Sequence, residues 1–162
     1  MADSLWYPSV EDVIAIHDDI VSEYPSTPAG VRNRSDIDFA LEYIEEGNFG
    51  SEPETIHGRS YHLLRLLTTN HPFVDANKRT ALNTTVVFYF LNGYRFEYDD
   101  EIRTVLKQFG ADETAVDEEE TVQYLRAHTE ELDLAGEIEE WRNDLIQYGI
   151  EQLTDDSSDP NN

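Results

Sequence analysis

One stretch of the chain gathers groups able to move a phosphoryl or nucleotidyl unit: His71-Pro72-Phe73-Val74-Asp75-Ala76-Asn77-Lys78-Arg79-Thr80. A neutral His71 imidazole can take a proton from an attacking hydroxyl. Asp75 is a hard oxygen ligand, suited to Mg²⁺ when phosphates complete its coordination. Lys78 and Arg79 add full positive charge, and an arginine grips phosphate oxygens in pairs. Ala76 is small enough to let a ligand approach the main chain. Each residue also has an ordinary use. A histidine before proline is commonly a surface turn residue, Asp75 can cap a helix, and Lys78 and Arg79 can be plain helix charges. Phe73 reads as a core residue either way. All of them together on one loop favour phosphoryl or nucleotidyl transfer, a chemistry of positioning and charge stabilisation.

These groups need a helix behind them. Apolar residues from Ala76 to Leu91 predict one that is buried on nearly all sides and stops at Asn92-Gly93. Its first turn would hold Asn77, Lys78 and Arg79, where unpaired N–H groups and the helix dipole favour an anion. Ser9 with Asp12 forms a capping box ahead of Val13, Ile14, Ile16 and Ile20. Ser35 with Asp38 forms a second, ahead of Ile37, Leu41 and Ile44, with Gly47 as the stop. Leu63, Leu64, Leu66 and Leu67 place a helix over residues 56–69. Shorter helices fit residues 101–109, 118–128 and 135–148. Tyr94 to Tyr98 fits a short strand, and residues 47–55 a loop or small hairpin. The expected fold is mainly α, built around a central buried helix with a small flap.

Composition narrows the partners. The chain has 162 residues, 35 Asp+Glu against 11 Lys+Arg, and a net charge of -24. Nucleic acid and anionic membrane surfaces are poor ligands for such a surface. Absence of cysteine removes thiol nucleophiles, disulfides and zinc–cysteine sites. The 39% hydrophobic and 11% aromatic content argues for a folded core rather than an acidic disordered chain. Only Lys78 and Lys107 are lysines. A lysine-poor acidic exterior suggests adaptation to molar salt, where the Debye length is about 3 Å and self-repulsion fades. No basic, apolar leader opens the sequence, and no apolar run nears the roughly 18 residues of a membrane span, so the cytoplasm is the expected location. His17, His57, His62 and His128 show no ligand spacing, leaving Asp75 as the only metal candidate.

The motif HPFVDANKR resembles the signature of the Fic/Doc (Fido) family, H-P-F-x-D/E-G-N-G-R-x-x-R. It is most similar to the death-on-curing (Doc) branch, whose loop reads H-x-F-x-x-A-N-K-R. Ile16-His17-Asp18 with Tyr24, Gly30-Val31-Arg32-Asn33 and Leu91-Asn92-Gly93-Tyr94 extend the likeness over about residues 5–110. The resemblance implies that His71 is the catalytic base and Phe73 the structural anchor of the loop. It implies that Asp75 holds Mg²⁺ and that Asn77, Lys78 and Arg79 hold the phosphates of ATP, Lys78 and Arg79 also serving catalysis. Residues 49–54 would form the flap over the target segment. Ala76 stands at the first glycine of the Fic pattern, as in the Doc loop, and two further departures matter: Lys78 replaces the second glycine and Leu82 the final arginine. In the Doc branch such a lysine accompanies an inverted nucleotide and transfer of the γ-phosphate.

The resemblance therefore implies a toxin that phosphorylates a Ser/Thr hydroxyl of a protein, expected to be a translation elongation factor. A Fic-type AMP transferase and a non-catalytic Fido-fold interaction module are the alternatives. Self-restrained relatives carry S/T-x-x-x-E-G/N. Here Glu46-Gly47 is the E-G pair and Glu42 stands at the Ser/Thr position, so a separate antitoxin is the expected restraint. The expected organisation is a Fido domain over 1–130, an acidic helical extension over 131–154 and a disordered tail over 155–162. The charge is uneven along it, since residues 111–162 carry -15 of the total.

Overall fold

A computed structural model describes residues 5–47 and 55–157. The chain divides into two compact units, residues 1–130 and 131–162. The first is helical, as its apolar spacing predicts. It begins with α1 (Val10–Glu23), α2 (Arg34–Glu46), α3 (Ile56–Thr69) and α4 (Asn77–Leu91). Strand β1 (Tyr94–Phe96), α5 (Glu101–Ala111), a 3-10 turn at Glu113–Ala115 and α6 (Glu118–Ala127) follow. Strand β2 (Thr129–Glu131) pairs with β1 and closes the unit. The expected flap, residues 49–54, lies outside the described residues.

Local chemistry explains most boundaries. Ser9 accepts from Asp12 N–H at 3.1 Å and Asp12 accepts from Ser9 N–H at 2.8 Å, so the first capping box forms as its sequence predicts. The second does not. Asn33 caps α2 instead, accepting from Ser35 N–H at 3.0 Å, and the helix starts before Ser35. An Asn in extended conformation just upstream satisfies the same orphan donors first. Gly47 ends α2 at φ 74° and Gly93 follows α4 at φ 83°, conformations that glycine adopts without a Cβ penalty.

Helices α3 and α4 share the centre. α3 packs on α2, α4, α5 and α6, while α4 packs on α1, α3 and β1. Leu63, Leu64 and Leu67 of α3 are fully buried, as are Ala81, Phe88 and Tyr89 of α4. Arg59 is buried too, and its guanidinium donates to the Ile44 and Glu45 carbonyls and to the Tyr7 hydroxyl. It thereby satisfies the C-terminal carbonyls of α2 that the helix leaves open.

The second unit is mostly one helix, α7 (Leu134–Ser157). Its apolar residues lie largely in solvent: Trp141, Leu145, Ile146 and Ile150 are 46–71% exposed. No described helix is long and apolar enough to cross a membrane.

Candidate active site

The motif loop joins α3 to α4 and is held by main chain as much as by side chains. Val31 and Phe73 form an antiparallel bridge. Arg32 and Asn33 N–H groups donate to the Pro72 carbonyl at 2.7 and 2.9 Å, and Val74 N–H donates to the Gly30 carbonyl at 3.0 Å. Gly30 sits at φ 129°, outside the range that other residues tolerate, which explains the glycine there. Phe73 is 1% exposed and stacks on the His17 ring, with centroids 3.8 Å apart and an interplanar angle of 9°. His17 Nδ1 lies 3.0 Å from the Thr80 hydroxyl, so one α1 residue supports both the loop and the first turn of α4.

The Asn77 side chain is tied into the loop. Its carboxamide accepts from Phe73 N–H at 2.9 Å and donates to the Phe73 carbonyl at 3.0 Å. The side chain is spent on closing the loop, which leaves the Asn77 main-chain N–H as its group for a phosphate. Asp75 is not the N-cap of α4 either; one of its oxygens accepts from Ala76 N–H at 2.7 Å. The N-cap is Ala76, left-handed at φ 62° and without a side-chain cap. His71, exposed at the other end of the loop, is also left-handed, at φ 48°. Such conformations cost non-glycine residues about 1 kcal/mol or more each.

Three features of the α4 start point the same way. It lacks a side-chain cap, it has no acid in its first turn, and it carries Lys78 and Arg79 at the positive end of the helix dipole. An anion would relieve all three. Beside it opens a cleft of about 1310 Å³ between α1, α4 and α5, within the first unit. His71, Asp75, Asn77, Lys78 and Arg79 line one end, so the loop brings the expected site residues to one cavity. Ile16, Ile20, Leu82, Val86, Ile102 and Leu106 give it an apolar wall. Leu82, at the position of the Fic pattern's last arginine, belongs to that wall.

The cations are aimed by neighbours distant in sequence. The Arg79 guanidinium lies 4.2 Å from the centroid of the Tyr24 ring, at the C-cap of α1. Lys78 extends towards the last turn of α5: a Cβ on Gly110 would lie 3.2 Å from Lys78 Cε and 3.5 Å from Nζ. Lys107 and Arg103 of α5 line the cleft as well. None of Tyr24, Lys107 or Gly110 stands out as a site residue in the sequence, although the scarcity of lysine is a signal for Lys107. His17 looks isolated in the sequence and is in fact buried beneath the loop. Burial holds its pKa below the ordinary histidine value, against the opposing pull of Asp18 and Asp75.

For a divalent cation the chain offers one carboxylate in the cleft end, Asp75. No cluster of three or more His, Asp or Glu suited to a metal occurs among the described residues. One carboxylate fits Mg²⁺ that arrives with nucleotide phosphates and keeps several waters. It does not fit a resident, all-protein site.

The Fic/DOC family model matches residues 7–89, just over half of the chain. The chain belongs to the Fic/DOC family. Members of this family transfer nucleotide-derived groups to proteins, and the matched span covers α1 to most of α4, including the whole motif loop. A search of curated proteins finds no match.

Proposed function

We propose that this protein is a Doc-type phosphotransferase that moves the γ-phosphate of ATP to a Ser/Thr hydroxyl of a protein. The observation that carries the proposal is Lys78. It fills the place of a glycine in the Fic signature, and its stem reaches Gly110 of α5, where an added Cβ would lie 3.2 Å from Lys78 Cε. In that step the hydroxyl oxygen bonds to the γ-phosphorus, the bond from that phosphorus to the bridging oxygen breaks, and ADP leaves. The hydroxyl proton passes to His71 Nε2 or Nδ1. Lys78, Arg79 and the free amides of the α4 first turn hold the charge that builds on the phosphate oxygens. Mg²⁺ bound to Asp75 and the phosphates would neutralise part of that charge.

In this proposal the protein acts as a toxin on a translation elongation factor and is restrained by a separate antitoxin. The acidic exterior suits molar salt in a cytoplasm. Residues 1–130 are the Fido domain, and residues 131–154 extend it. The decisive experiment supplies ATP labelled at the α or the γ phosphate to the protein in a lysate at high salt. Label from the γ position on one protein band is expected. Label from the α position alone would overturn the phosphotransferase proposal in favour of AMP transfer. Growth inhibition that survives His71→Ala would instead favour a binding module.

A further inference from the structure

The chain has two lysines among its 162 residues, and both line the same cleft. They reach it from different helices, Lys78 from the start of α4 and Lys107 from the second turn of α5. Their surroundings converge. Lys78 Nζ lies against Gly110, and Lys107 precedes Gly110 by three positions, which puts both on one side of α5. Lys107 is exposed, and neither lysine is in an ion pair among the described residues. Arg103, one turn earlier, is within 3.8 Å of Asp100. Thirty-five acids were available to pair with two lysines. Two unpaired ammonium groups in one cleft repel each other unless a polyanion lies between them.

We propose that Lys107 is a phosphate contact of the bound nucleotide, reaching it from the α5 side opposite the α4 amides. With Lys78, whose ammonium also lies against α5, it makes a pair of positive charges for the phosphate chain of a nucleoside triphosphate. Asp19 and Glu23 of α1 also line the cleft. They repel phosphates from the α1 side, so the chain of charges is drawn towards α4 and α5. Gly110 contributes by leaving room for the Lys78 stem, so both lysines serve one anion.

This inference rests on the nucleotide-binding proposal, and the experiment separates the two. The full chain, its Lys107→Met variant and its Lys107→Arg variant are titrated calorimetrically with ATP and with adenosine at constant high salt. Methionine keeps the stem and removes the charge. Lys107→Met is expected to weaken ATP by about tenfold, the scale of one hydrogen bond to a charged group, and to leave adenosine binding and the melting temperature unchanged. Lys107→Arg is expected to bind ATP nearly as the parent does. A parent that binds ATP together with a Lys107→Met variant that binds it equally well overturns this inference alone. Equal weakening of ATP and adenosine also overturns it, because the lost contact would not be to phosphate. A parent that binds no ATP overturns the nucleotide proposal itself.

Discussion

The first turns of α1 and α4 are built on opposite principles. α1 begins with a complete capping box and two acids, Glu11 and Asp12, at the positive end of its dipole. α4 begins with a left-handed alanine, no cap, no acid and two cations. The first arrangement satisfies the helix from within the chain. The second leaves donors and positive charge over, and they face a cleft. Within one small domain, a helix that completes itself and a helix that needs a ligand are thus told apart by their first four residues. Stability belongs to the first start, and the energy available for binding belongs to the second.

That contrast can be broken or sharpened by substitution. The largest effect should come from Lys78→Met, with transfer reduced about 10²- to 10³-fold, as for loss of one preorganised charge donor, and an unchanged melting temperature. A large drop in melting temperature would show that the α4 start is structural after all. Phe73→Ala should cost about 3–5 kcal/mol of folding stability by denaturant titration, because the stack on His17 is emptied. Here the loop behaves as core, so the contrast holds for the charges and not for their anchor. Ser9→Ala should cost about 1 kcal/mol and leave nucleotide binding untouched. Ala76→Gly should raise stability by up to about 1 kcal/mol, because glycine takes φ 62° without strain. A loss of stability there would mean that Ala76 is not strained.

The final test is spread over pH. His17, His57 and His62 all have pKa values lowered chiefly by burial. The unfolded chain takes up their protons near the ordinary value of about 6.5, before the folded chain does. Stability contributed by their burial is therefore complete above about pH 6.5 and is lost as pH falls below it. Urea midpoints measured between neutral and mildly acidic pH should decline, and His17→Asn should make that decline shallower. An unchanged slope would mean that His17 takes no part in it.

Much of this was written locally in the sequence. The leucines of α3, the Ser9–Asp12 box and the motif itself each rest on residues a few positions apart, and each appears where that spacing puts it. What was not legible depends on meetings between distant segments. His17 reaches Phe73 and Thr80 only once α1 lies on α4. Lys107 joins the cleft, and Gly110 meets the Lys78 stem, only once α5 lies beside α4. Nothing in the neighbours of Asn77 signals that Phe73 uses both ends of its amide. The α2 start differs for a smaller reason: Asn33 and Ser35, two positions apart, are both competent caps.

The bridge between residues 30–33 and the motif loop has a consequence for how this site tolerates change. Its hydrogen bonds join peptide groups only, so side chains at positions 31, 32 and 74 can be exchanged without loosening the loop. Proline is the exception, since it alone removes the donor at Arg32, Asn33 or Val74. The geometry of the motif loop is in this sense decoupled from the side-chain chemistry of the residues that fasten it. Surface residues there are free to drift, while the motif loop stays where it is.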